Sequence, residues 1–167
     1  MKGASNRNMD TPCINRVILV GFLREIARVR MELHKDHSSS RPLSADYEYI
    51  GLLGEWEFSQ KYGLPIDLTL RSGGDGRKDF TTGIGTIDVK TANKAFNLLR
   101  ETNKPHADIL VLAQYLEEDD NVAFLGWEYD KNMVLCPHQD FGYGIDNYYK
   151  SWQELRTMSS LGKLLTR

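Results

Sequence analysis

Two acids and a lysine are the residues of this chain best spaced to do chemistry together. Asp79 begins a short alternating stretch, 78–82, and Asp88-Val89-Lys90 lies in a second, 86–90, with Ile87 and Val89 on one side and Asp88 and Lys90 on the other. Between them, Thr82-Gly83-Ile84-Gly85 suits a two-residue hairpin loop, in which Gly83 is expected to supply the positive φ of a type II′ turn. With Gly83 and Ile84 at the tip, Thr82 faces Gly85, Phe80 faces Ile87, and Asp79 falls opposite Asp88. Two carboxylates facing across a ladder repel. A divalent cation between them reverses that sign, because Mg²⁺ is commonly held by one or two carboxylates with waters and phosphate oxygens completing its octahedron. Lys90 shares Asp88's face, where its ammonium can orient or help deprotonate a metal-bound water, or meet charge growing on a phosphate. The pattern suits metal-assisted hydrolysis of a phosphodiester, with Mg²⁺ as cofactor and Mn²⁺ as its substitute.

The elements that must hold these residues follow from periodicity. An N-terminal helix is expected within 14–37. Ile18, Phe22, Ile26, Val29 and Leu33 recur at three- and four-residue spacing and are read as core, with Arg24, Arg28, Glu32 and Lys35 on the far side. A polar linker over 38–42 ends in Pro42, and Ser44 then caps a second helix that stops at Gly63, ahead of Pro65. Gly51, Glu55, Phe58 and Tyr62 share one stripe of that helix, and Gly51 and Gly54 are expected to let it approach a sheet closely. Glu57 is expected to face water.

Residues 64–70 read as an extended connection or first strand, and 71–78 as a glycine-rich approach to the hairpin. Gly73-Gly74-Asp75-Gly76 has neither Walker A nor dinucleotide-binding spacing, and Asp75 is a weaker candidate than Asp79 because it lies beyond the paired residues. After Lys90, Thr91 and Asn93 are expected to end the strand and cap a short helix over 94–101. The apolar run 107–115 predicts a strand inside a sheet, and 121–129 the next strand, reached over a solvated acidic turn at 117–120. Residues 131–147 read as irregular. Ser151 and Glu154 have capping-box spacing for a final helix carrying Trp152, Leu155, Met158 and Leu161, and the aromatic residues Tyr143, Tyr148, Tyr149 and Trp152 are read as packing.

The order of Glu55 on a helix, Asp79 on a strand and Asp88-Val89-Lys90 on the next strand resembles the PD-(D/E)xK nuclease superfamily, with its restriction-endonuclease-like fold, in the small stand-alone form of bacteria and phages. Lys78 stands where that superfamily loosely keeps a proline. The resemblance spans residues 47–130 and implies an α/β class with an αβββαβ core, a central mixed sheet flanked by helices, and here an additional N-terminal and C-terminal helix. It implies that Asp79, Asp88 and the main-chain carbonyl of Val89 hold the metal, that Glu55 binds a second ion or orients water, and that Lys90 positions or activates the nucleophile. Glu48, two turns before Glu55 on the same side, is its rival. The implied activity is a Mg²⁺-dependent deoxyribonuclease, an endonuclease, with DNA as partner and a homodimer as a route to cutting both strands. Thr91, Arg24, Arg28 and Arg77 are the candidate nucleic-acid contacts.

Length and composition bound these readings. The 167 residues suit one domain, 1–167, divided into a disordered 1–12, the helix 14–37, a nuclease core 43–130 and a C-terminal extension 131–167. No apolar run reaches membrane-spanning length and no signal core opens the chain, so a cytoplasmic protein is expected. Cys13 and Cys136 are far apart and read as reduced thiols. A net charge of −2 excludes a broadly basic coat for nucleic acid, although residues 1–41 carry eight Lys or Arg against four Asp or Glu. One rival reading is a non-catalytic module of the same fold that binds nucleic acid or protein. Another is a structural-metal domain using Cys13, His34, His37, Cys136 and His138, for which no zinc-site spacing is present.

Overall fold

The structure, a computed structural model, describes residues 15–33, 46–70, 78–94 and 97–166. The expected N-terminal disorder, the linker 38–42, the Ser44 cap, the glycine-rich loop with Asp75 and Arg77, and Cys13, His34 and His37 all lie outside the described residues.

Two helices, α1 (Arg16–Leu33) and α2 (Tyr47–Tyr62), precede the strands β1 (Phe80–Thr82), β2 (Gly85–Ala92), β3 (Asn97–Glu101), β4 (Ile109–Leu116) and β5 (Asn121–Tyr129). A single-turn α3 (Asp130–Met133), strands β6 (His138–Asp140) and β7 (Asp146–Ser151), and α4 (Met158–Leu165) complete the chain. The class is α/β, with a four-stranded mixed sheet in the order β1-β2-β4-β5 and a three-stranded antiparallel sheet in the order β3-β7-β6. In the larger sheet β2 and β4 run parallel, while β1 and β5 are antiparallel to their neighbours.

The core follows from which faces the strands cover. Ile87 and Val89 of β2 and Ile109, Val111 and Ala113 of β4 pack with Phe58 of α2 on one side of the larger sheet. On the other side, Leu110 and Leu112 meet Leu98 of β3 and Met133 of α3. A strand buried on both faces has no polar alternation, which is why β4 reads as an unbroken apolar run. Gly63 ends α2 in the left-handed conformation, φ 64°, as its position predicts.

Several expectations are corrected by tertiary context. The buried stripe of α1 is Leu19, Leu23 and Ala27, packed against Tyr49, Ile50, Leu52 and Leu53 of α2, whereas Ile18 and Phe22 are 67% and 51% exposed. Two adjacent apolar stripes, about 100° apart, left the rotation of α1 open, and its arginines settle it. Arg16 pairs with Glu57 and donates to the Asp120 carbonyl, Arg24 stacks over Tyr49 and pairs with Asp46, and Arg30 donates to the Asp67 carbonyl. Glu57 is therefore clamped rather than water-facing.

The helix expected at 94–101 is instead β3, paired with β7 from Asn97↔Ser151 to Glu101↔Asn147. So short a segment gains little as an isolated helix, while the ladder buries Leu98 completely. Residues 64–70 belong to no strand, with Ile66 and Leu68 packed on the α1–α2 cluster. The positive φ in the hairpin falls at Gly85 (126°), not Gly83, and a Cβ at Gly85 would lie 2.9 Å from the Asp108 carboxylate. The capping box of Ser151 and Glu154 forms, but over a 3-10 turn, Trp152–Glu154. The chain then extends so that Arg156 bridges Trp127, and α4 begins only at Met158. Residues 131–147, expected to be irregular, contain most of α3 together with β6.

Candidate functional site

The hairpin has the expected register, with Phe80 opposite Ile87 and Thr82 opposite Gly85. Asp79 immediately precedes β1; its N–H donates to the Ile87 carbonyl at 2.8 Å. Its carboxylate does not stand loose across from Asp88. Oδ2 of Asp79 accepts the Val89 N–H at 2.6 Å, closing the edge of β2 where β1 has run out. In an antiparallel pairing the N–H and C=O of one residue leave the strand on the same edge, so the Val89 carbonyl projects on the side that Asp79 occupies.

Asp88 points to the opposite face of the sheet from Ile87 and Val89 and is only 8% exposed. Lys90, two residues on, brings Nζ to 2.6 Å from Asp88 Oδ2. The approach lies outside hydrogen-bond geometry, so that oxygen is buried with a charge beside it and no directed donor. The ammonium compensates the carboxylate's charge at this distance, so a cation bound at Asp88 would share that oxygen with Lys90 or displace it. Among the described residues no three His, Cys, Asp or Glu side chains gather into a group that could hold a metal. Asp79, Asp88 and Glu55 thus do not form a three-acid cage. The donors present are hard oxygens from one or two carboxylates and a main-chain carbonyl, which fits Mg²⁺ retaining much of its water and does not fit a metal that needs a full protein shell.

Glu55 sits on α2 at the helix's contact with β2. The preceding residue, Gly54, lies so close to Thr91 that a Cβ there would be 1.9 Å from Thr91 Oγ1. Gly51, expected to allow the same approach, has nothing within 4 Å of its virtual Cβ. The Glu55 carboxylate is largely buried and 3.9 Å from Arg30 of α1. The Thr91 hydroxyl, a candidate phosphate contact by sequence, is buried in this helix–sheet contact without a hydrogen-bond partner. Arg24 is engaged by Asp46 and Asp120, and Arg28 by Glu25 one turn earlier on α1; Arg77 is outside the described residues. Cys136 donates to the Asn132 carbonyl and its thiol is raised by burial, while His138 Nδ1 contacts Asp146 at 2.7 Å.

Two polar centres escape sequence reasoning. Glu128 of β5 is 2% exposed and accepts from Lys150 Nζ at 2.6 Å, Asn132 Nδ2 at 2.8 Å, Arg156 Nε at 2.9 Å and the Tyr129 N–H at 3.0 Å. Burial alone would raise its carboxyl, but these hydrogen bonds, from Lys150 first, outweigh it and bring the pKa down to about 2. The available signal was a lone carboxylate between Trp127 and Tyr129 in an otherwise apolar strand. Asp120, assigned to a solvated turn, instead accepts hydroxyls from Tyr49 and Tyr115, each at 2.8 Å. Burial first, and then the Asp120 carboxylate, push the Tyr115 phenol up to about 12.

Compared with protein-family models, with curated proteins and with solved structures, the chain matches none.

Proposed function

We propose that this protein is a metal-dependent nuclease that hydrolyses DNA phosphodiester bonds with water, and that its core is a variant of the restriction-endonuclease-like αβββαβ arrangement in which strand β3 replaces the helix between β2 and β4. The reading is carried by the buried Asp88 carboxylate with the Lys90 ammonium 2.6 Å from its Oδ2, on the strand whose free edge the Asp79 carboxylate meets. Asp88, the Val89 carbonyl and Asp79 are the groups that would hold Mg²⁺. Bound there, the ion would supply Lewis-acid polarisation of a phosphate oxygen and a lowered pKa for its water.

The protein's own groups do the rest. Asp79, fixed by the Val89 N–H, holds the β1–β2 edge closed beside the site. Lys90 offers positive charge where negative charge grows on the phosphate, and its ammonium can orient the attacking water. The water oxygen forms the new bond to phosphorus and gives up one proton to solvent, the ester P–O bond breaks, and the released oxygen takes one proton from solvent. Glu55, on α2, lies on the side of β2 opposite the Asp88 and Lys90 side chains and beside Arg30, and would add a third carboxylate, to water or to a second ion, only by reaching past the end of the strand.

The test is cleavage of plasmid, linear duplex and single-stranded DNA with Mg²⁺, Mn²⁺ or EDTA by wild type, Asp88→Asn and Lys90→Ala. Metal-dependent cutting lost in both variants, with folding retained, is the expected result. Folded wild type that binds Mn²⁺ at Asp88 yet cuts none of these would move the assignment to the non-catalytic module, a reading favoured by the engagement of Glu55 with Arg30.

A further inference from the structure

The face of the larger sheet that carries Asp88 and Lys90 can be followed row by row, because residues paired across strands share a face and every second residue along a strand returns to it. Asp88, Leu110 and Glu128 form one row, Lys90, Leu112 and Gly126 the next, and Ala92, Gln114 and Ala123 the third. The first row is buried throughout. In the second, Leu112 and Gly126 are still buried while the Lys90 side chain is one-third exposed. In the third the cover has ended: Ala92 is exposed, and Gln114 and Ala123 are half-buried. Every residue of β4 before Gln114 is apolar and buried, and its chain neighbours Ala113 and Tyr115 pack on the α2 side of the sheet.

Along the strands this face meets solvent at two ends, which differ in charge and in how far their polar groups are satisfied. At the amino end of β4, Asp108 accepts the Thr86 N–H and hydroxyl, each at 2.8 Å, and beside it Asp130 accepts from Arg100. Both carboxylates are closed by partners within the protein, and their sign repels a polyanion. At the carboxyl end, no described residue makes a hydrogen bond to the Gln114 amide, which stands between two alanines that have nothing to offer it. That amide carries two N–H donors, and Lys90 supplies positive charge in the row before it, on the neighbouring strand. Successive rows are roughly 6.6 Å apart, so a nucleic-acid strand with its scissile phosphate at Lys90 brings an adjacent phosphate over Gln114. The exposed acidic turn Glu117–Asp119, beyond the end of β4, limits how far a polyanion extends past that point.

We infer that Gln114 is a substrate-binding residue, whose amide donates to a non-bridging oxygen of the phosphate next to the scissile one, where the nucleic-acid strand leaves the covered part of the sheet. The inference rests on the proposed nuclease function for the identity of the substrate, and adds to it the end of the sheet from which DNA reaches Lys90. Because the donor is neutral, it holds the backbone in register without releasing a counterion and without reading sequence.

The experiment measures binding of short fluorescein-labelled DNA of mixed sequence with Ca²⁺ in place of Mg²⁺, and KM and kcat for Mg²⁺-dependent cleavage. Wild type is compared with Gln114→Met, Gln114→Glu and, as a charge control from the opposite side of the sheet, Gln60→Glu of α2. Gln114→Met keeps the length of the side chain and removes the amide; it should weaken binding and raise KM about tenfold, with kcat within twofold of wild type and an unchanged salt slope. Gln114→Glu should weaken binding further, and Gln60→Glu should stay within twofold of wild type. A folded Gln114→Met that binds and cuts within twofold of wild type overturns the inference, as does a Gln114→Glu that loses no more than Gln60→Glu. A loss confined to particular DNA sequences overturns the phosphate assignment, since the contact is then to a base. Should Gln114→Met not fold, Gln114→Glu against Gln60→Glu decides the question. Wild type that binds DNA without cutting sinks the nuclease function and leaves the affinities to decide the role of Gln114. Wild type that does neither overturns both.

Discussion

Asp88 and Glu128 lie in one row of the same sheet. Asp88 is paired laterally with Leu110 and Leu110 with Glu128, so both carboxylates project from the face that the smaller sheet covers. Each is nearly inaccessible to water, and each has a lysine 2.6 Å away. They differ in what else reaches them. Glu128 is surrounded by donors from β7, α3, the 152–157 segment and its own strand, whereas one oxygen of Asp88 has no donor in hydrogen-bond geometry. A buried carboxylate held by four donors from four segments is a fastening between layers; one paired with a single lysine has fewer protein contacts for a ligand to displace. Burial and a basic neighbour, taken alone, do not distinguish a staple from a site.

The comparison can be broken most sharply by exchanging the two lysines' roles. On the proposed nuclease function, Lys90→Ala should reduce DNA cleavage by about 10²-fold or more with an unfolding midpoint close to wild type. Lys150→Ala should do the reverse, lowering the midpoint while each folded molecule cuts at its usual rate. Urea titration with parallel cleavage assays reads both, and equal losses of stability in the two variants would erase the distinction.

Next in size, Glu128→Ala leaves the half-buried Lys150 and the more exposed Arg156 without their shared partner and should cost up to about 3 kcal/mol in urea unfolding. Asp88→Asn breaks an ion pair whose lysine is one-third exposed and should change stability by less than Glu128→Ala does, while abolishing the Mn²⁺ binding that the nuclease proposal requires. A large loss of stability in Asp88→Asn would make it a second staple.

A pH titration sharpens the same point. The Glu128 carboxyl is depressed in the folded state from 4.5 to about 2. Between those values the unfolded chain binds the extra proton, so this stabilisation is complete above about pH 4.5 and is lost as pH falls through about 2. The shift corresponds to about 3 kcal/mol. Urea midpoints followed down this window should fall in wild type and fall much less in Glu128→Gln.

The smallest expected effect is at Arg28, which is exposed and paired with Glu25. Arg28→Ala should leave the unfolding midpoint where it is. If DNA is bound along α1, the same variant should lower the salt slope of binding by about one. An unchanged slope removes Arg28 from the interface.

How far the chain could be read ahead depended on how local each determinant was. The β1–β2 register, the end of α2 at Gly63 and the spans of β4 and β5 were legible because loop length, a helix-ending glycine and apolar runs of strand length act within a few residues, although the positive φ of the loop fell at Gly85 rather than Gly83. The rotation of α1 was not, since it had two apolar stripes and the choice lay with Arg16, Arg24 and Arg30 meeting partners in α2, the 46–67 region and the β4–β5 turn. The segment 97–101 was misread as a helix because its partner strand, β7, comes some fifty residues later. Asp120 and Glu128 were invisible for the same reason: their donors converge from distant elements.

The hairpin that places Asp79 beside β2, and the two-residue step that puts Lys90 on Asp88's face, were readable from residue order alone, because both follow from backbone geometry that needs no third element. Only the tertiary structure decided that Asp79 would bind the Val89 N–H, that Asp88 would be buried beside Lys90, and that Glu55 would lie against Arg30 with Gly54 pressed on Thr91. Those outcomes depend on the depth to which one layer sinks onto another, which packing sets and no local pattern encodes.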